Sequence, residues 1–158
     1  MKKFLQLVAA VAIAHAAGVI GSFFTVTSVG TWYADLVRPE FAPPNWLFGP
    51  VWLTLFTLMG IAAWLIWINK EKKLRECRKV ALIFFGVQLG MNSIWSILFF
   101  GMQNPAAALF EIVMLWIMIL ATIIVFWKIN KAASILLWPY LVWVSFAAYL
   151  NLMFVILN

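Results

Sequence analysis

Charge is what this chain has least of: 10% of its 158 residues are charged, against roughly 25% in an ordinary soluble domain. It has five acidic residues, one histidine and one cysteine. A single cysteine, Cys77, has no intrachain partner, so a disulfide framework is excluded. Zinc sites usually draw on three or four Cys, His or carboxylate ligands, and that supply is missing, so neither a metal nor a required cofactor is expected. No paired acid and base for hydrolytic chemistry can be assembled either. The chain also lacks an internal repeat, which weighs against the two equal halves common in transporters.

What fills the sequence instead is apolar: 66% hydrophobic residues, with a mean hydropathy of +1.04. Runs long enough to cross a hydrocarbon core of roughly 30 Å as helix occupy residues 4–26, 46–68, 80–101, 105–127 and 134–157. The fold class is therefore all-α integral membrane: a single domain, 1–158, folded as a five-transmembrane-helix bundle with a long structured first loop at 27–45. Basic residues alternate strongly between the two sides. Ten (Lys2, Lys3, Lys70, Lys72, Lys73, Arg75, Arg78, Lys79, Lys128 and Lys131) fall on one side and Arg38 alone on the other, which places the N-terminus inside and the C-terminus outside. A bacterial plasma membrane is the expected location. Lys2, Lys3 and the Ala14-His15-Ala16 triplet also fit a cleavable signal, but the run continues to Val26, longer than a typical h-region; both readings predict the same loop topology. The net charge of +6 is explained by these loops and by anionic lipid heads, so no nucleic-acid partner is read from it and the basic loop is assigned no chemistry.

The segment between Thr31 and Trp52 departs from this pattern, setting four prolines among closely spaced Trp, Tyr and Phe residues. Stiff rings and fixed backbone angles suit a cover better than a tether. On the first span, Ala14, Gly18 and Ser22, with Ala17, Gly21 and Thr25, let a neighbouring backbone approach closely. His15 lies near mid-membrane, where a hydrogen bond to another helix is the expected role, because one histidine has no second ligand. Asn45 could cap the second helix, with Pro50 in its first turn. On the third span, Gly86 and Gly90 mark one face and suit helix contact within the bundle or across a homodimer. Gln88, Asn92, Trp95 and Ser96 mark the other, and belong against protein or a cavity. Glu111 reads as a paired or interfacial carboxylate, Trp64 and Trp67 as an interfacial belt, and Trp116 as core packing. Pro139 is expected in the second turn of the last span, bending it or freeing a carbonyl. Trp143, Ala147, Leu150, Asn151 and Phe154 form one stripe there, with a small residue beside a large ring.

Depths estimated at 1.5 Å per residue put Trp52, Ser96, Asn92 and Trp143 in the outer half, beneath the aromatic loop. Aromatic walls with a few polar groups are the make-up of a site for a large apolar ligand. The arrangement Trp32-Tyr33-x-x-Leu36-x-Arg38-Pro39-x-Phe41-x-Pro43-Pro44-x-Trp46-x-Phe48, then Trp52, then Gln88-x-x-x-Asn92-x-x-Trp95-Ser96 and Pro139-Tyr140-x-x-Trp143 strongly resembles the translocator protein family, also called tryptophan-rich sensory proteins or peripheral-type benzodiazepine receptors. The resemblance covers the chain nearly end to end. It implies a five-helix bundle, often a homodimer, binding protoporphyrin, haem and related tetrapyrroles in a pocket under the first loop. Family pocket positions match Tyr33, Trp52, Phe56, Asn92, Trp95, Ser96, Trp143, Ala147 and Leu150, with Trp32 and Pro44 in the cover. It further implies, for bacterial members, light-dependent breakdown of protoporphyrin involving indoles that match Trp52 and Trp143. Phe41 stands where the family typically has Trp. The animal sterol motif is unsupported, since no Lys or Arg follows Lys131.

Three functions follow as expectations: a receptor or sensor for porphyrins or similar flat apolar molecules, an enzyme degrading porphyrin with light and oxygen, and a porphyrin or lipid transporter. The first ranks highest. The third has only His15 and the Pro139 kink in its favour.

Overall fold

The computed structural model describes all 158 residues. Each of the five apolar runs becomes a helix of membrane-crossing length and composition. The elements are α1 (Lys2–Val29), α2 (Trp32–Asp35), α3 (Asn45–Trp67), α4 (Arg75–Ser96), α5 (Pro105–Trp127), α6 (Lys131–Ile135) and α7 (Trp138–Leu157). A 3₁₀ turn, Lys72–Leu74, leads into α4, and a wide π turn, Ile97–Gly101, continues it. In space α1 packs on α3 and α4, α4 on α5, and α5 on α7, while α6 and α7 return to α3 and close the ring. The core between them holds Met59, Ile66, Leu115, Ile119, Phe126, Leu137 and Tyr140, all essentially sealed from solvent.

Four local expectations are corrected. α4 begins at Arg75 rather than residue 80, because a helix of 1.5 Å rise can carry its basic first turns beyond the hydrocarbon core. Asn45 does not cap α3: it is the first helical residue, the preceding position is Pro44, and its Oδ1 accepts from Arg38 Nη2 at 3.0 Å instead. Pro50 consequently lies inside α3, past its first turn. Pro139 does not bend a continuous last span. The chain leaves helix at Leu136 and Leu137 and restarts as α7 with Pro139 in its first turn, where its missing N–H would be unpaired anyway.

Helix ends on the basic side are tied across the bundle. Trp64 Nε1 donates to the Lys3 carbonyl at 3.1 Å, joining the first turn of α1 to the last turns of α3. On the other side Asn104 caps α5 by accepting from the Ala107 amide at 3.0 Å. Between these ends α1 and α3 touch at glycine. A Cβ placed on Gly60 would lie 2.6 Å from Val11 Cα, so backbone meets backbone there.

Candidate functional site

A cavity of about 420 Å³ opens in the half of the bundle beneath α2, walled by α1, α3, α4 and α7. Trp52 and Phe56, one turn apart on α3, stack at 5.4 Å and form one wall. Opposite stand Trp95 and Ser96 of α4, and Trp143 and Ala147 of α7. The small-residue face of α1 forms a third wall by close approach: a Cβ on Gly18 would strike the Phe56 ring at 2.4 Å, and one on Gly21 would come within 3.0 Å of Ser96 Oγ. α1 is held there by Ser93 Oγ, which donates to the Ala17 carbonyl at 2.9 Å.

The polar groups of the cavity are mostly committed to one another, which fixes the walls. Asn92 Nδ2 donates to the Tyr140 hydroxyl at 3.1 Å. Trp95 Nε1 donates to Asn151 Oδ1 at 3.0 Å, while Asn151 Nδ2 donates to the Pro105 carbonyl at 2.8 Å, linking α4, α7 and the start of α5 through one amide. Thr57 spends its proton on the Leu53 carbonyl at 2.9 Å, so the 3.0 Å contact from His15 Nε2 is a ring N–H donating to the Thr57 oxygen. That agrees with the expected interhelical hydrogen bond and fixes the His15 ring against α3. Trp143 Nε1 is buried with no partner in the chain.

Above the cavity, α2 is clamped through Tyr33, which packs in a hydrophobic cluster with Phe99, Phe100, Ala108 and Phe154. The π turn helps seat it: Met102 N–H reaches back to Ile97 O at 2.7 Å, and Ser28 Oγ of α1 donates to the Phe100 carbonyl at 2.7 Å. Arg38 stands 5.6 Å over the Tyr33 ring and also donates to the Pro43 carbonyl at 3.2 Å. Burial pushes the Tyr33 phenol above its ordinary value, and Arg38 offsets only part of that. The remainder of the cover is held by Phe41 stacked on Tyr149 at 5.7 Å and by Asn158, whose side chain exchanges hydrogen bonds with Val37 N–H and C=O at 3.0 and 3.3 Å.

Of the residues singled out from sequence, Tyr33, Trp52, Phe56, Asn92, Trp95, Ser96, Trp143 and Ala147 come together around this one cavity. Trp32, Pro44 and Leu150 do not. Trp32 turns its ring edge to Phe99 at 5.8 Å, Pro44 precedes the first turn of α3, and Leu150 is buried away from the cavity. Gly86 and Gly90 face outward with nothing within 4 Å of a Cβ on either, so contact within the bundle is excluded for them. Glu111 is not paired: it is buried on α5, and neither carboxyl oxygen has a hydrogen-bond partner. Gln88 is likewise sealed in the bundle with both amide atoms unpartnered.

Sequence reasoning missed Phe48, Thr25 and Phe100 as lining residues, and Tyr140 and Asn151 as the groups that orient Asn92 and Trp95. Asn151 carried a usable signal, a polar residue on the apolar stripe of Trp143. On the side between α1 and α3, Val19, Ser22, Val26 and Leu53 line the cavity yet remain exposed, so the cavity has a lateral seam facing the surroundings of the bundle.

Residues 10–157 match the family model described as the TspO/MBR family. The chain is 47% identical over 154 residues to the tryptophan-rich protein TspO of Archaeoglobus fulgidus, covering 98% of this chain and 97% of that protein. It is 44% identical over 157 residues to the tryptophan-rich protein TspO of Chlorobaculum tepidum, covering 99% and 98%. The translocator protein of Bos taurus is 35% identical over 137 residues, covering 85% of this chain and 79% of that protein.

Proposed function

The chain belongs to the TspO/MBR family of membrane proteins, and from that premise we propose that it is a receptor binding porphyrins or comparably flat apolar molecules beneath α2. The observation that carries the reading is the convergence of eight sequence-identified residues from α2, α3, α4 and α7 on one cavity of about 420 Å³, within the roughly 300–1,000 Å³ usual for ligand sites. Its walls offer indole and phenyl faces for a planar ring system. The buried Trp143 Nε1 is a spare donor beside it. Protoporphyrin is expected to quench tryptophan fluorescence saturably, and Trp143→Ala or Asn92→Ala to weaken that quenching. Undiminished quenching in the double variant refutes the site.

A second reading is supported by one detail: Trp52 and Trp143 both line the same cavity, so a bound porphyrin excited by light would have two oxidisable indoles beside it. Under that reading illumination in air yields a distinct product, and Trp52→Phe with Trp143→Phe abolishes it. Bleaching at the rate of free porphyrin counts against it. The open face of Gly86 and Gly90 suits a second copy of the chain. Gly90→Leu is then expected to shift the purified protein from dimer to monomer. The charge asymmetry of the loops supports a cytoplasmic basic end, which protease protection of tagged termini tests.

A further inference from the structure

At the end of the bundle opposite the aromatic cavity, a second cavity of about 390 Å³ lies where α1, α3 and α4 meet. Its lining is charged. Lys2 and Lys3 enter from the first turn of α1, Lys70 and Lys72 from the loop after α3, and Arg75 and Arg78 from the first turn of α4; Glu71 is the one carboxylate among them. Six cations against one anion leave a local excess of five, nearly the whole net charge of +6 that the chain carries. Loop charges that serve orientation alone need only lie on the correct side. These converge on a concave site instead.

The convergence is built by specific contacts. The Trp64 indole holds the Lys3 carbonyl, so the first turn of α1 stays beside the end of α3. Asn69 organises the loop from both of its groups: its Oδ1 accepts from the Glu71 amide at 2.9 Å, and its carbonyl accepts from Arg78 Nη1. The 3₁₀ turn Lys72–Leu74 runs directly into α4, the Arg75 amide donating to the Lys72 carbonyl, which holds Lys72 and Arg75 in one continuous coil. Glu76, the acid in that first turn, is paired outward with Lys79 at 3.0 Å. Trp67 and Ile68 add an apolar margin to the lining, and Trp67 is also partly exposed at the surface of the bundle.

Several clustered cations and an apolar margin at membrane-interface height match a phosphate attached to a lipid. We propose that this cavity is a binding site for the phosphate-bearing headgroup of an anionic phospholipid in the leaflet that meets the basic end. Lys72 and Arg75 hold the phosphate, Lys2 and Lys3 close over it, and Trp67 with Ile68 flanks the glycerol and first acyl carbons. Arg78 has a structural part through Asn69 and is left intact in the test.

The test is native mass spectrometry of the whole protein released from mixed micelles containing equal amounts of phosphatidylglycerol and phosphatidylcholine. Wild type is expected to retain phosphatidylglycerol selectively, and Lys72→Gln with Arg75→Gln to lower that selectivity roughly tenfold or more. Lys128→Gln with Lys131→Gln removes the same charge from the same end outside the cavity, and is expected to leave selectivity within about twofold. Unchanged melting temperatures of both double variants show that neither acts by unfolding. Equal retention of the two lipids, or an equal loss in both double variants, overturns the proposal. Displacement of the lipid by inorganic phosphate at millimolar concentration also overturns it, in favour of a site for the free anion. Persistence against inorganic phosphate supports the lipid assignment.

Discussion

Replacing Gly60 by alanine adds one methyl group where, among the glycines, a helix meets neighbouring backbone most tightly. The new Cβ would stand 2.6 Å from Val11 Cα and 3.0 Å from Val11 N, where ordinary contact begins at 3.4 Å. The obstacle is main chain, which cannot swing aside as the end of a side chain can, so α1 and α3 must part by roughly 1 Å. Overpacking of this kind costs about 1–3 kcal/mol. Gly49→Ala adds the same methyl elsewhere on α3 with nothing inside 4 Å, and relief of the helical glycine penalty is worth about 0.5–1 kcal/mol in the opposite direction. Identical chemistry at two helical glycines should therefore give changes of opposite sign. Thermal unfolding in one detergent, followed by tryptophan fluorescence, reads the difference as several degrees, taking about 2–4 °C per kcal/mol for a chain of this size. Because α1 and α3 also wall the aromatic cavity, Gly60→Ala should weaken porphyrin quenching as well. Equal melting temperatures for the two variants refute the claim that α1 seats on α3 at Gly60.

Burial raises the Tyr33 phenol above 10.0 despite Arg38. Between the unfolded and folded values the folded chain holds a proton that the unfolded chain has released, so this contribution is complete below pH 10 and falls as pH rises above it. Tyr33→Phe is expected to flatten that part of the alkaline loss of stability, measured by melting temperature against pH; an unaltered slope counts against it. Gln88 is sealed within the bundle with no partner for either amide atom. Its replacement by leucine, of similar volume, is expected to stabilise by about 1 kcal/mol or more, and a lower melting temperature would show that the amide is satisfied after all.

The five helices were legible because hydropathy and length alone identify a membrane span. Most of the cavity was legible too, since Trp52 with Phe56, Asn92 with Trp95 and Ser96, and Trp143 with Ala147 follow helical spacing. Spacing gives the direction of a residue around an axis but not where a cavity stops along it. Leu150 shares the stripe of Trp143, yet lies beyond the lining. Trp32 and Tyr33 are neighbours whose fates diverge through tertiary contact: Phe99 takes the Trp32 ring, while Tyr33 both joins the cluster and lines the cavity. Asn45 was a reasonable cap by residue type, but Arg38 captured its oxygen across the loop. A second-turn position for Pro139 assumes one unbroken final helix, whereas a proline is better tolerated in a first turn, and the halt at Leu136 and Leu137 just before it puts it there.

The seam between α1 and α3, where Val19, Ser22, Val26 and Leu53 belong at once to the cavity and to the outer surface, changes what concentration means for this site. An apolar ligand dissolves in bilayer or micelle far more readily than in water, so the supply available at the seam is set by molecules per lipid rather than per litre. Adding empty lipid at fixed total ligand dilutes that supply without changing any contact in the site. A dissociation constant quoted per volume should therefore drift upward with lipid content, whereas one expressed as a mole fraction in the membrane should stay fixed.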